Sequence, residues 1–134
     1  MLFESFFSFL LFFFSAVGVL ILFFFLYAKV TPYDDYKLIF EENNVAAGVA
    51  FGGAILGLSI PLYSALVNSV SYSDFLMWAV VAMVIQLMFA FIVTRMNAKF
   101  SLEKRIESGE VSVGVFMAFL SISIGLLNAG SMSY

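Results

Sequence analysis

The side chains in this sequence that could do chemistry inside a membrane are amides and hydroxyls rather than charged groups. Four of them lie within or at the end of long apolar stretches: Ser64, Asn68, Gln86 and Asn128. Leaving an amide unpaired in hydrocarbon is costly, so each of these amides needs a protein partner or water. Two interpretations stay open: the four groups line a polar pathway, or they join neighbouring helices by hydrogen bonds.

The sequence contains few residues that could support catalysis or bind a metal. The chain has no cysteine and no histidine, which excludes disulfides, thiol chemistry and most zinc or haem sites. No nucleophile with a base and no phosphate loop is present, and the apolar stretches lack the charged residues of proton relays. We therefore expect no enzymatic activity, no cofactor, no metal, no nucleic-acid partner and no proton-coupled transport.

Composition places the chain in a lipid bilayer, since 63% of its 134 residues are hydrophobic and only 11% are charged. Four apolar stretches can each cross about 30 Å of hydrocarbon: 5–28, 45–67, 75–94 and 111–131. A cleaved signal peptide is the alternative for the first stretch, but it lacks a basic n-region. We predict one all-α integral membrane domain over residues 1–134, with four transmembrane helices.

Small residues mark the second and fourth of these helices as the ones that approach other helices closely. Two GxxxG pairs occupy adjoining faces of the second helix, and Pro61 removes the amide donor that the carbonyl of Gly57 would use. We predict close helix packing at these positions: Gly48, Gly52, Gly53, Gly57, Pro61, Gly114 and Gly125.

The two glycine faces also predict assembly. One partner helix in a four-helix monomer can pack against only one of these faces. The other face is therefore expected to contact a neighbouring subunit of a homo-oligomer. Replacing Gly52 or Gly53 with leucine is expected to leave the fold intact and weaken the oligomer. The second and fourth helices should lie at the centre, with the phenylalanine-rich first helix outermost.

Two charged segments, residues 31–44 and 95–110, connect the helices. The first is predicted as a short amphipathic helix on the membrane surface, with Thr31 as its N-cap and Pro32 in its first turn. The charged residues assigned to the aqueous surface are Asp34, Asp35, Lys37, Glu41, Glu42, Lys104 and Arg105. A solvated face is the simpler interpretation of the acidic groups, and a bound cation or polyamine is the functional one.

Orientation follows from the basic residues. Five of the six lie in the two charged segments, the sixth, Lys29, lies just before the first segment, and none lies near either terminus. Because basic residues concentrate in cytoplasmic loops, we predict that both segments are cytoplasmic and that both termini are periplasmic or exterior.

The two halves of the chain resemble each other at an offset of 66 residues. This offset aligns Gly48 with Gly114 and Val45 with Val111. Each half is a helix, a surface segment and a second helix, so we predict a tandem repeat of two-span units, about 5–68 and 73–131. Such units repeat in the same orientation about an axis along the membrane normal.

Several short runs also resemble a known family. They are Lys29-Val-Thr-Pro, Asn44-Val-Ala-Ala, Ser59-Ile-Pro-Leu, Ser64-Ala-Leu-Val-Asn68, Ile85-Gln86-Leu87 and Asn128-Ala129. Together they make nearly the whole chain similar to the YjfL-like bacterial inner-membrane proteins, domain of unknown function family 350. The resemblance implies a duplicated two-span fold, an inner-membrane location, and neighbouring genes for membrane-stress and peptide-ligase-like proteins. It supplies no activity.

Two classes of function fit these features. The first is an oligomeric pore or transport-like protein, because four helices alone enclose too little volume for a pathway. The second is a membrane scaffold or anchor that docks a cytoplasmic partner, which the resemblance suggests is a stress-response or peptide-ligase-like protein. The middle of the second helix has no continuous polar stripe, which disfavours a wide water-filled channel.

Overall fold

The computed structural model describes residues 1–95 and 101–134, and within these ranges it contains helices and no strands. Its long helices are α1 (Leu2–Val30), α2 (Val45–Asn68), α3 (Tyr72–Arg95) and α5 (Val111–Ser131). A π-helical turn (Lys37–Glu41) precedes α2, and a short helix α4 (Leu102–Glu107) precedes α5. All four long helices are long and apolar enough to cross a membrane, which confirms the predicted fold class.

The two ends of the bundle differ in charge. Arg95, at the end of α3, donates a hydrogen bond to the Val30 carbonyl at the end of α1. The helices α2 and α5 begin at this same end, where Asn44 donates to the Ile106 carbonyl. We call it the basic end, because the described basic residues lie there: Lys29, Lys37, Arg95, Lys104 and Arg105. Lys99 lies outside the described residues. The opposite end, which we call the terminal end, holds both chain termini.

Helix α2 forms the centre of the bundle. In its spanning stretch 56% of residues are buried, compared with 11% in α1. One side of α2 contacts α5, and another packs against α1 and α3 through Phe51, Ala54 and Leu58. The phenylalanines of α1 mostly point outward, for example Phe14 and Phe25. In a membrane protein these outward rings contact lipid.

Both connecting segments end with the same backbone pattern. Asn43 and Gly109 adopt left-handed conformations, with φ of 52° and 81°. Each is followed by the N-cap residue of a long helix, so that α2 begins at Val45 and α5 at Val111. These pairs are 66 positions apart, the offset found in the sequence. The agreement supports the duplication of 5–68 and 73–131, which stays a prediction.

The start of the first connecting segment differs from the prediction. Thr31 is not an N-cap; it ends α1, its backbone N–H donating to the Tyr27 carbonyl at 3.0 Å. The residue before a proline is disfavoured in helical conformation, so Pro32 forces Thr31 to be extended, with ψ of 143°. Helical structure resumes at Asp35 and widens into the π-helical turn, in which the Glu42 N–H donates to the Lys37 carbonyl five residues earlier.

Candidate functional site

The backbones of α2 and α5 touch directly at four glycines. A Cβ atom built on Gly53 would lie 2.3 Å from the Ala118 Cα, and one built on Gly114 would lie 2.4 Å from the Ala46 carbonyl oxygen. Real Cβ atoms do not approach other atoms so closely, so these positions have no room for a side chain. The expectation that Gly53→Leu leaves the fold intact is therefore wrong, because Gly53 lies inside the monomer's own helix contact.

The other two glycines of this contact are Gly57 and Gly125, and the Gly57 carbonyl lacks its usual hydrogen-bond donor. Pro61 has no N–H, so the Gly57 carbonyl receives no hydrogen bond from the residue four positions later. That carbonyl oxygen instead faces Gly125, on which a Cβ would lie only 2.1 Å away. The close approach lets the Cα–H of Gly125 contact the oxygen, a weak interaction that recurs between tightly packed helices.

The second glycine pair of α2 has no neighbour. Atoms added at Gly48 and Gly52 would meet nothing within 4 Å. Along the same side of the helix Leu56 and Tyr63 are 51% and 68% exposed. One glycine face of α2 therefore packs inside the monomer, and the other faces outward.

Gln86 and Asn128 join α3 to α5 inside the bundle. Their side chains are 4% and 9% exposed. The Gln86 amide donates to the Ser121 carbonyl at 3.3 Å, and the Asn128 amide donates to the Ala82 carbonyl at 3.2 Å and to the Gln86 Oε1 at 3.4 Å. These bonds cross between helices, so the arrangement favours the interhelical role for this pair.

The other two polar candidates lie at the terminal end of α2. Asn68 donates to the carbonyl of Ser64 in its own helix at 2.9 Å. The Ser64 hydroxyl lies 3.0 Å from the Tyr134 hydroxyl, which brings the C-terminal residue back onto α2. The four polar residues predicted from the sequence thus form two separate pairs, and the hydrogen bonds do not connect them into one stripe.

Two clefts open at the surface of the bundle, one on its side and one at the basic end. A cleft of about 320 Å³ between α3 and α5 has mainly apolar walls and reaches Trp78 and Asn128. A polar cleft of about 300 Å³ lies at the basic end, where the two connecting segments meet. Carboxyl and amide groups line it, including those of Glu42, Asn43 and Glu107.

Asn44 ties the two connecting segments together, a role that the sequence analysis missed. Its side-chain oxygen accepts a hydrogen bond from the Ala47 N–H at 3.0 Å, which caps α2. Its side-chain nitrogen donates to the Ile106 carbonyl at 2.7 Å and to the Glu107 carbonyl at 3.4 Å. An asparagine directly before an apolar helix is a recognisable capping signal, but its second partner is remote in sequence.

The charged residues of the connecting segments are not all solvated. Asp34, Lys37, Glu41, Glu42 and Lys104 are exposed, and Arg105 is half-buried. The prediction is wrong for Asp35, which is only 1% exposed. Burial raises the pKa of its carboxyl to about 7, against the effect of a hydrogen bond from the Thr31 hydroxyl. Burial likewise raises the pKa of Tyr33, which is buried beside it.

Sequence comparison decides the family. The family profile described as Domain of Unknown Function (DUF350) matches residues 1–132. The chain belongs to the DUF350 family. A relative in Escherichia coli (strain K12), the UPF0719 inner membrane protein YjfL, is 39% identical over 98% of this chain and 97% of its own length. The UPF0719 transmembrane protein YshE of Bacillus subtilis (strain 168) is 32% identical over 83% of this chain and 81% of its own.

These relatives settle the cellular setting of the DUF350 chain. With its four apolar helices, it is a multi-pass inner-membrane protein. The names of the relatives indicate no catalytic activity. No solved structure matches the chain.

The Gln86–Asn128 pair gives a first testable expectation. We expect Gln86→Leu and Asn128→Leu each to lower the free energy of unfolding, and the double variant to lower it by less than the sum. Interhelical hydrogen bonds in membranes are worth about 0.6 kcal/mol on average and about 1.7 kcal/mol at most, so the coupling should fall in this range. Unfolding in mixed detergent micelles measures it. Asn68→Leu is the control, because its amide bonds within its own helix. Strictly additive effects of the two substitutions would contradict the pairing.

Proposed function

We propose that this DUF350 protein is a subunit of a homo-oligomeric, transport-like membrane assembly that carries out no catalysis. The observation that carries the proposal is the outward glycine face of α2, where Gly48 and Gly52 meet no other atoms. In a bilayer, apolar surfaces gain nothing by leaving lipid, and small residues are favoured where another helix packs closely. A second copy of the chain is the partner that this face fits.

The interior of one subunit supports a path between subunits rather than through one. The centre of the bundle is closed by the glycine contacts of α2 with α5 and by the Gln86 and Asn128 hydrogen bonds. The larger clefts open sideways or at the basic end. A polar or narrow gated path through the membrane would therefore need walls from neighbouring copies.

The predicted duplication supplies a specific geometry for this interface. Under the 66-residue repeat, the α5 residues that contact α2, at positions 114, 118 and 125, correspond to positions 48, 52 and 59 of α2. These three positions lie on the side of α2 that faces outward. In the same way, the α2 residues that contact α5, at positions 46, 53 and 57, correspond to positions 112, 119 and 123 of α5. These three positions are exposed. We infer that α2 of one copy meets α5 of the next, with Gly52 near Phe119. Such a head-to-tail contact closes into a ring when its rotation allows.

Disulfide crosslinking tests this interface, because the chain has no native cysteine. We expect a variant carrying Gly52→Cys and Phe119→Cys to form dimers and higher oligomers on mild oxidation. A control variant carrying Leu22→Cys and Phe119→Cys keeps one cysteine and moves the other to the exposed face of α1, and it should crosslink far less.

Native mass provides the second measurement. We expect Gly52→Leu to reduce the size of the assembly, because leucine would hold the two helices apart. Gly130→Leu is the matched control, since Gly130 is also open but lies near the C-terminus. A wild-type protein that stays monomeric in several mild detergents and in nanodiscs would contradict the proposal.

We also propose that the basic end faces the cytoplasm and that both termini face the periplasm or exterior. The concentration of basic residues at that end supports this orientation, since positive charge is retained on the cytoplasmic side.

A second candidate function is a scaffold that docks a cytoplasmic protein. The polar cleft at the basic end favours it, because Glu42 and Glu107 line the cleft and fit a basic surface on a partner. Under this alternative, Glu42→Lys would abolish partner binding and leave the native mass unchanged, whereas Gly52→Leu would do the reverse.

A further inference from the structure

Asp35 is a carboxyl group that is enclosed at the basic end of the bundle. Its side chain is 1% exposed and accepts a hydrogen bond from the hydroxyl of Thr31. Within residues 1–95 and 101–134 no lysine or arginine forms an ion pair with it. Arg95, the basic residue at the end of α3, donates instead to the Val30 carbonyl. A buried carboxylate without a positive partner is strongly disfavoured, so a group in this position favours its neutral form.

The other titratable groups around Asp35 do not compensate its charge. The phenolic groups of Tyr27 and Tyr33 interact electrostatically with the carboxyl, and both residues are buried. The Tyr33 hydroxyl is enclosed and lacks a partner at hydrogen-bonding geometry in the described ranges. Asp34 adds like charge from the next position, and the Tyr36 hydroxyl is engaged with the Phe24 carbonyl at 3.0 Å. Of these groups only Asp34 directly opposes a negative charge at Asp35, and none of them is a cation.

The π-helical turn after Asp35 is held against the bundle by apolar packing and by one backbone hydrogen bond, from the Asn44 N–H to the Leu38 carbonyl at 2.8 Å. Leu38, three residues further on, is 6% exposed. It belongs to a buried cluster whose members from α2 and α4 are all apolar: Ala46, Ala47, Ala50 and Ile106. If an ionised Asp35 needs water, the segment that carries it and leads directly into the turn has to move outward.

We propose that Asp35 is a proton-binding site, and that loss of its proton releases the π-helical turn from α2. This inference goes beyond the proposed function and does not depend on the oligomer, since all the groups belong to one chain. The ligand is a proton, taken up from the aqueous side of the basic end. The released turn would expose Leu38 and alter the surface at the edge of the polar cleft, which begins at Glu42.

The direction of the pH effect follows from the raised pKa. Because the pKa of Asp35 is raised to about 7, the folded site holds its proton more tightly than an unfolded chain does. The stability contributed by protonated Asp35 is complete at acid pH, below the usual carboxyl pKa. It is lost as the pH rises toward and through about 7. The turn should therefore be closed in acid and open in mild alkali.

Cysteine labelling tests the release. Leu38→Cys places a thiol under the turn, and Phe40→Cys, at a position 75% exposed, reports the intrinsic effect of pH on thiol reactivity. We expect the ratio of labelling rates at positions 38 and 40 to rise about tenfold between pH 6 and pH 8. The ionised fraction of a group with a pKa of about 7 rises from roughly a tenth to roughly nine tenths over this range.

Two variants assign the effect to the buried carboxyl. Asp35→Asn cannot ionise, so the ratio should stay low at every pH. Asp34→Asn removes the neighbouring exposed carboxyl and should keep the rise. A ratio that does not change with pH in the Leu38→Cys protein, or a rise that persists in Asp35→Asn, would overturn the proposal.

Infrared titration provides a measurement that does not depend on the cysteine variants. The protonated carboxyl band that is present in the wild type and absent in Asp35→Asn should disappear as the pH rises through about 7. A band that disappears near pH 4, the ordinary range of an aspartate, would reject the site even if the turn moves.

Discussion

Replacing Gly125 with alanine should destabilise the bundle more than any other single methyl group added to it. The new Cβ would lie 2.1 Å from the Gly57 carbonyl oxygen, 2.9 Å from its carbon and 3.0 Å from its Cα. All three are backbone atoms of a central helix, so α2 and α5 have to separate along their whole contact. Overpacking of this kind costs about 1–3 kcal/mol, and loss of neighbouring close contacts adds to it. Unfolding in mixed micelles measures the change.

Matched glycines make this expectation specific. Gly18→Ala and Gly130→Ala add the same methyl group where nothing lies within 4 Å, so the free energy of unfolding should stay nearly constant. Alanine also favours helix over glycine, which makes a small gain the expected sign for Gly18→Ala. Equal losses in all three variants would mean that helix propensity, rather than the α2–α5 contact, sets the effect.

The membrane orientation should appear as an all-or-none difference in labelling. We expect a membrane-impermeant maleimide to label Ser133→Cys in intact spheroplasts, because both termini are proposed to face outward. Glu103→Cys, on α4 at the basic end, should be labelled only after the membrane is opened. Both positions are exposed in the protein, so the labelling of each cysteine depends only on whether the reagent reaches its side of the membrane.

The control for this experiment is the order of the two labelling steps. Blocking with the impermeant reagent first and then permeabilising should leave Glu103→Cys fully reactive and Ser133→Cys unreactive. Labelling of Glu103→Cys in intact spheroplasts would reverse the topology inferred from the basic residues. The monomer fold and the α2–α5 contact would be unaffected by that result.

Some features of this protein follow from the sequence alone. The predicted spans 45–67 and 111–131 end within one residue of α2 and α5, and the others lie within three residues of α1 and α3. A hydrocarbon layer requires about 20 apolar residues in a row with their backbone groups paired internally, so hydropathy and length are sufficient. Family membership is likewise a property of the linear chain.

Other features depend on where the helices meet. Two similar glycine pairs lie on α2, yet only Gly53 and Gly57 contact α5, while Gly48 and Gly52 remain open. The spacing of the glycines cannot distinguish the pairs, because both give the same local groove. The choice depends on the rotation of α2 within the bundle, which packing against three other helices sets together.

The polar groups show the same dependence on tertiary structure. An isolated amide in an apolar helix predicts that a partner exists, but the pairing of Gln86 with Asn128 joins positions 42 residues apart. Asp35 lies in a charged segment, and its neighbours in sequence predict that it is exposed to solvent. It is buried because Pro32 ends α1 and turns the segment back against α2, so its chemistry was decided by the fold and not by its neighbours in sequence.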